Sequence, residues 1–441
     1  MTTNPQQQPA TSPLMPMVII GTLFFVFGFI TWLNGALIPF LQIVCQLSSS
    51  EALLIAFSFY IAYVVMALPM SFVLNKIGYR NAMSLGLALI AGGCLLFVPA
   101  AEAQTFLLFI TAQFVVGSGL TILQTASNPY LVKIGPPESA AVRISIMGLL
   151  NKGAGWLAPV VFTALVLGEF SGVTAQSVAA LPDAERQIQI QSLADSLVLP
   201  YIAMAIALIV LALALRASKL PELNLENETS AQKDAEQPSG SVLQFPQLVL
   251  GVIALFFYVG VEVIAGDTIG LAGSTLGVPG ALGLTSYTMF FMVIGYVLGL
   301  LLIPRILTQH QLLMVSACLA IVLTFCIPFT DPDSNMLSTV LWDWTGIATL
   351  PNPITCIALL GLANAIVWPA IWPLALEGLG KFTARGSALL IMAIAGGAIL
   401  PMVFGLISDH VGVLDAYWMT IPCYGFILFY AIKGCRITSW K

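Results

Sequence analysis

The chain has 441 residues, of which 59% are hydrophobic and 8% charged, with a formal net charge of −5 and a mean hydropathy of +0.98. Soluble domains carry about 25% charged residues, so this chain cannot clothe itself in a hydrated surface and reads as an all-α integral membrane protein. No basic stripe is present to neutralise phosphates, which excludes nucleic acid as a partner.

In chain order, residues 1–16 (MTTNPQQQPATSPLMP) are polar and are expected to form a disordered tail, without the basic leader of a cleavable signal. A helix needs about 20 apolar residues to cross the hydrocarbon. Twelve such segments follow, near 17–41, 52–75, 80–100, 104–133, 144–168, 196–217, 247–266, 282–304, 311–329, 353–377, 386–408 and 413–433. The charged, Pro- and Ser-containing stretch within 218–246 reads as a linker between six-helix halves at 17–217 and 247–433, with a short tail at 434–441. Of the 15 Lys and Arg, all except Arg186 and Lys152 fall on the side of the tails and linker. The positive-inside rule then puts both termini on the cytoplasmic side of the membrane. The seven cysteines form no CxxC pair and read as small packing residues, with neither disulfides nor metal ligation expected.

Polar residues inside the spans carry the chemistry. The first segment holds Thr31, Trp32 and Asn34, with Trp32 free to face either lipid or protein. In the fourth, Gln124 and Asn128 are four apart and share a helix face. Their amides offer both donors and acceptors, as a neutral polyol requires, or else bond neighbouring helices. The fifth follows Arg143 and carries Asn151 and Lys152, the latter about 13 Å beyond that arginine. An ammonium at that depth needs an acidic or polyol-oxygen partner.

In the seventh, Glu262 lies well inside the span and Asp267 nearer its outer rim, about 140° around the helix. A charged side chain at the bilayer centre costs about 2.5–3.5 kcal/mol on insertion scales. Glu262 is therefore expected to act in function, the structural alternative being a fixed pair with Lys152. For Asp267 a hydrated helix-end role and a functional one stand level. The tenth presents Asn364, Trp368 and Trp372 at i, i+4 and i+8, an amide beside two indoles suited to a sugar ring. Glu377 and Arg385 follow at its inner end and, with Arg143, form a candidate cytoplasmic gate or a plain surface network.

The halves repeat. FFVFGFITWLNG in the first segment and FFYVGVEVIAGD in the seventh share FF-x-x-G at an offset of 232, while Arg143 and Pro159 map to Arg385 and Pro401 at 242. Two pseudo-symmetric six-helix bundles around a midplane site are the major facilitator fold. Beyond the fold, FGFITWLNGALIPFLQ, LQTASNPYLVKIGPPESAAVRISIMG, YVGVEV and WPAIWPLALEGLGKFTARGSALLIMAIAGGAILP resemble the fucose/glucose–galactose permease family. The likeness runs from about residue 17 to about 430.

That resemblance implies cation-coupled uptake of a monosaccharide across a bacterial cytoplasmic (inner) membrane. Fucose permeases carry acids where this chain has Gly35 and Gln124, so the glucose/galactose-type branch fits better. The expected sugar-binding set is Asn34, Gln124, Asn128, Asn151, Lys152, Asn364, Trp368 and Trp372. The expected cation-coupling set is Glu262, Asp267 and Thr31. The missing acids favour sodium; Glu262 alone, desolvated, would instead suit a proton. No cofactor or transition metal is expected, and the partners are a monosaccharide, a monovalent cation and the lipid bilayer around a monomer. Alternatives are a proton-coupled fucose or N-acetylglucosamine permease, a non-transporting sugar sensor and a drug exporter. An enzyme is disfavoured, since neither HExxH nor GxSxG occurs and His310 and His410 fall in loops on opposite sides.

Overall fold

A computed structural model describes residues 14–133, 140–167, 173, 175–218, 220–221, 241–303, 305–379 and 382–440. Among these there is no strand, and twelve helices are long and apolar enough to cross a membrane. They are α1 (Met15–Val44), α2 (Ser49–Met66), α3 (Tyr79–Ala103), α4 (Phe106–Asn128), α5 (Ile146–Val166), α6 (Asp183–Ala217), α7 (Pro246–Asp267), α8 (Ala281–Leu302), α9 (Gln309–Phe329), α10 (Asn352–Leu376), α11 (Leu389–Val411) and α12 (Val413–Arg436). Helix begins at Leu14, inside the stretch expected to be a tail. The sixth span starts thirteen residues earlier than expected, at Asp183. Its polar extension starts after Pro182 with Asp183 and Glu185 in the first turn, where carboxylates favour a helix N-terminus. The stretch 222–240 of the expected linker lies outside the described residues.

Close helix approach rests on small residues. A Cβ on Gly28 of α1 would meet the Asn151 carbonyl of α5 at 1.8 Å, and one on Gly396 of α11 would meet the Phe256 carbonyl of α7 at the same 1.8 Å. These are pseudo-equivalent helix pairs, so the sequence repeat is also a packing repeat. Several spans are interrupted, α6 among them at Leu197, and three of the interruptions shape the site and the contact between halves. α1 divides into Leu14–Trp32 and Asn34–Val44, α7 passes through Thr268 into a short arm at Ile269–Thr275, and α10 divides into Asn352–Asn364 and Val367–Leu376. The last break follows from Pro369, which has no N–H for the Ala365 carbonyl and crowds it.

The halves meet along α2 with α11, α5 with α8, and the terminal arms of α1 and α7. We call the side bearing the chain ends the linker side and the opposite one the far side. On the far side the Asp409 carboxylate at the end of α11 accepts from the Ser50 N–H in the first turn of α2, at 3.2 and 3.3 Å. A Cβ on Gly405 would meet Leu53 at 2.9 Å, and one on Gly270 would meet the Gly35 carbonyl at 3.0 Å. Toward the linker side, Asn128 and Glu377 are exposed. The molecule is closed at the far side.

Candidate functional site

Between the two halves, Lys152 of α5 reaches across to α7 and places its Nζ 2.7 Å from Glu262 Oε1. Both residues are 8% exposed. Tyr258, one helical turn before Glu262, donates its hydroxyl to the same Oε1 at 2.7 Å. The ammonium also lies 4.3 Å from the centre of the Trp32 ring, a cation–π contact that gives it a second stabilising neighbour. Trp32 is buried, not lipid-facing, because two glycines make room for it. A Cβ on Gly155 of α5 would lie 2.5 Å from the indole, and one on Gly266 of α7 would lie 2.4 Å from it. The indole is thus a wedge between halves.

Asp267 is fully buried, and neither of its oxygens has a hydrogen-bond partner among the described residues. This corrects the alternative of a hydrated helix end. The burial follows from the chain continuing beyond Thr268 as the Ile269–Thr275 arm, which folds against the far arm of α1. The neighbouring Thr268 hydroxyl donates to the Ile264 carbonyl at 2.6 Å and pairs with the Tyr417 hydroxyl at 2.7 Å, so it does not serve the carboxylate. At Gly35 no side chain fits in this state, because a Cβ would lie 2.0 Å from Thr285 Oγ1.

Tyr258 joins the charged pair to an aromatic wall. Its ring lies 6.3 Å from that of Trp368, which stacks on Trp372 at 5.3 Å. Both tryptophans are half-buried. Asn364 is fully buried, its Oδ1 accepts from Tyr424 of α12 at 3.1 Å, and its Nδ2 has no partner among the described residues. Across the interface, half-buried Gln124 donates to the Tyr63 hydroxyl at 2.8 Å, and Tyr63 stacks on Tyr60 at 6.4 Å. Asn151 reaches the Phe24 carbonyl at 3.4 Å, and Thr31 is half-buried beside Trp32 in sequence.

Not every expected residue comes to this centre. Asn34 turns into the first half, where its Oδ1 accepts from Gln113 at 2.5 Å and its side chain lines a small internal cavity with Phe97 and Tyr201. The reason is the break after Trp32, which carries Asn34 into the far arm of α1. Arg143 is buried and donates to the Leu131 carbonyl at 3.0 Å within its own half. Glu377 is exposed, with its backbone carbonyl accepting from Gln247 at 3.2 Å. The Arg385 side chain lies outside the described residues. Tyr60, Tyr63 and Tyr258 were not among the expected site residues. Tyr258 was readable, because it sits four residues before Glu262 and therefore on its face.

Residues 20–401 match the Major Facilitator Superfamily. The chain is 35% identical to the glucose/galactose transporter of Brucella abortus over 422 residues, covering 94% of this chain and 92% of that one. It is 29% identical to the L-fucose-proton symporter of Escherichia coli, covering 95% and 93%. Among solved structures, it superposes on the transporter FucP in its outward conformation with a TM-score of 0.69 at 25% identity, covering 95% of this chain and 98% of that one.

Proposed function

The chain belongs to the Major Facilitator Superfamily, and from that premise we propose that it carries a monosaccharide of the glucose or galactose type into the cell together with a monovalent cation, sodium in preference to a proton. It is a multi-pass transporter and not an enzyme. The observation that carries the reading is the buried Lys152–Glu262–Tyr258 cluster spanning the two halves and abutting the Trp368–Trp372 wall.

Binding drives rocking only through contacts that differ between states. Lys152 and Glu262 belong to different halves, so their ion pair exists only while the halves hold this relation. In the alternate state the ammonium and carboxylate separate, and sugar hydroxyls take the place of that contact. Trp368 and Trp372 offer planes to the C–H faces of the ring. Gln124, Asn128, Asn151 and Asn364 supply amide donors and acceptors to its hydroxyls, while Asn34, turned away, stays outside that set. Glu262, Asp267 and Thr31 form the cation-coupling group, and Arg143, Glu377 and Arg385 stand at the linker-side gate. With the linker side cytoplasmic, the orientation that the distribution of Lys and Arg favours, the closed far side fits an inward-facing state.

Uptake by a Glu262→Gln variant across imposed sodium and pH gradients tests the proposal. Accumulation against a gradient is lost while counterflow of labelled sugar persists; unchanged accumulation removes Glu262 from coupling. Counterflow with labelled glucose, galactose, fucose and N-acetylglucosamine separates this reading from a proton-coupled fucose or N-acetylglucosamine permease. It also separates it from a sensor, which moves none of them.

A further inference from the structure

The far-side closure buries an unequal number of charges. Among the described residues, two carboxylates, Glu262 and Asp267, lie in the sealed region, and one ammonium, Lys152, lies with them. Lys152 is 2.7 Å from Glu262, which also receives the Tyr258 hydroxyl, so that carboxylate is compensated. Asp267 has no hydrogen-bond partner among the described residues. The ionisable groups close enough to act on it electrically are Glu262 on its own helix, Lys152 on α5 and Tyr60 on α2. None of these adds a second positive charge.

Asp267 also sits where the gate closes. The residue before it, Gly266, is covered by Trp32 of the opposite half and accepts from Thr285 at 2.8 Å, while Thr285 in turn abuts Gly35. An uncompensated carboxylate sealed in such a place is strongly disfavoured. The region becomes neutral when it holds one further positive charge.

We propose that closing the far side requires uptake of one monovalent cation, a proton or a sodium ion, and that Asp267 is its seat. This rests on the cation-coupled reading and deepens it by giving the cation a position and a count. The same charge balance ranks the variants. Asp267→Asn leaves a balanced Lys152–Glu262 pair and closes without a cation. Glu262→Gln leaves Lys152 to balance Asp267 and does likewise. Lys152→Met leaves two carboxylates and requires two cations.

Hydrogen–deuterium exchange of the purified full-length protein, with no sugar present, measures closure through protection of residues 34–44 and 269–275. Sodium is varied against choline at constant ionic strength and pH, and pH is varied in choline with rates normalised to an unstructured peptide. Wild type is expected to gain about tenfold protection per tenfold rise in one of the two cations, the slope of a single binding event. Which arm responds identifies the ion. Asp267→Asn, and Asp267→Leu, which strands no polar group, are expected to show full protection with zero slope. Lys152→Met is expected to steepen the slope toward two. A wild-type protein indifferent to both cations overturns the proposal. So does a wild-type slope retained in either neutral variant. Because no sugar or gradient is used, failure here leaves the transport reading standing, and failure of sugar uptake leaves this result standing.

Discussion

Replacing Lys152 with Met tests whether the cross-half pair holds this state together. The substitution keeps the volume of the stem but, among the described residues, leaves Glu262 buried with Tyr258 as its one donor and Asp267 with no cationic side chain near it. Removing one partner of a buried pair costs about 3–5 kcal/mol. For a domain the size of one six-helix half, about 2–4 °C of melting temperature accompanies each kcal/mol, so a fall of about 6–20 °C is expected. Glu262→Leu should fall less, since Lys152 then has Asp267 as a second carboxylate nearby. The double variant Lys152→Met with Glu262→Leu strands no charge of the pair and should regain most of the loss, because a buried pair replaced by apolar residues is often neutral. Melting of the four proteins in detergent forms a double-mutant cycle. A double variant that loses the sum of the two single losses shows that the residues act independently and refutes the reasoning.

The Asp409 carboxylate on the Ser50 N–H sits at the positive end of α2, a contact worth about 0.3–1 kcal/mol. Asp409→Asn should therefore raise the far-side-open population by about two- to fivefold, read from spin-label distances across the far ends of the halves. Gly35→Ala places a Cβ on Thr285 Oγ1. It should block far-side closure and abolish uptake while leaving sugar binding from the outside, measured by equilibrium binding on right-side-out vesicles. Trp368→Ala and Trp372→Ala each remove one plane of the stacked wall. At about 0.5–1.5 kcal/mol per aromatic contact, each should raise the KM for sugar about two- to tenfold; an unchanged KM in both removes the wall from recognition.

How much of this was legible in sequence divides along a physical line. Span number and order were readable because apolar length is a one-dimensional property. Lys152 and Glu262 stood out because charges in apolar runs are costly, and their pairing was one of two open alternatives. The Trp368–Trp372 face followed from helical spacing. The burial of Asp267, which decides between its two open alternatives, was not legible because the apolar run looks finished there, while that burial depends on an arm of α7 packing against an arm of α1. Asn34 was misplaced because the break after Trp32 redirects it toward Gln113, a partner far away in the chain. No periodicity shows that Gly155 and Gly266 clear a slot for Trp32, or that Thr285 fills the space beside Gly35. Such facts exist only once helices are assembled.

The central claim is that sugar and cation cross together by way of the acids of α7. Labelled sodium entry into proteoliposomes, driven only by an inward gradient of glucose or galactose and with a protonophore present, tests it most directly. The account predicts sugar-driven sodium entry in wild type and none with Glu262→Gln. Sugar entry that moves neither sodium nor, with the protonophore omitted, protons would contradict it.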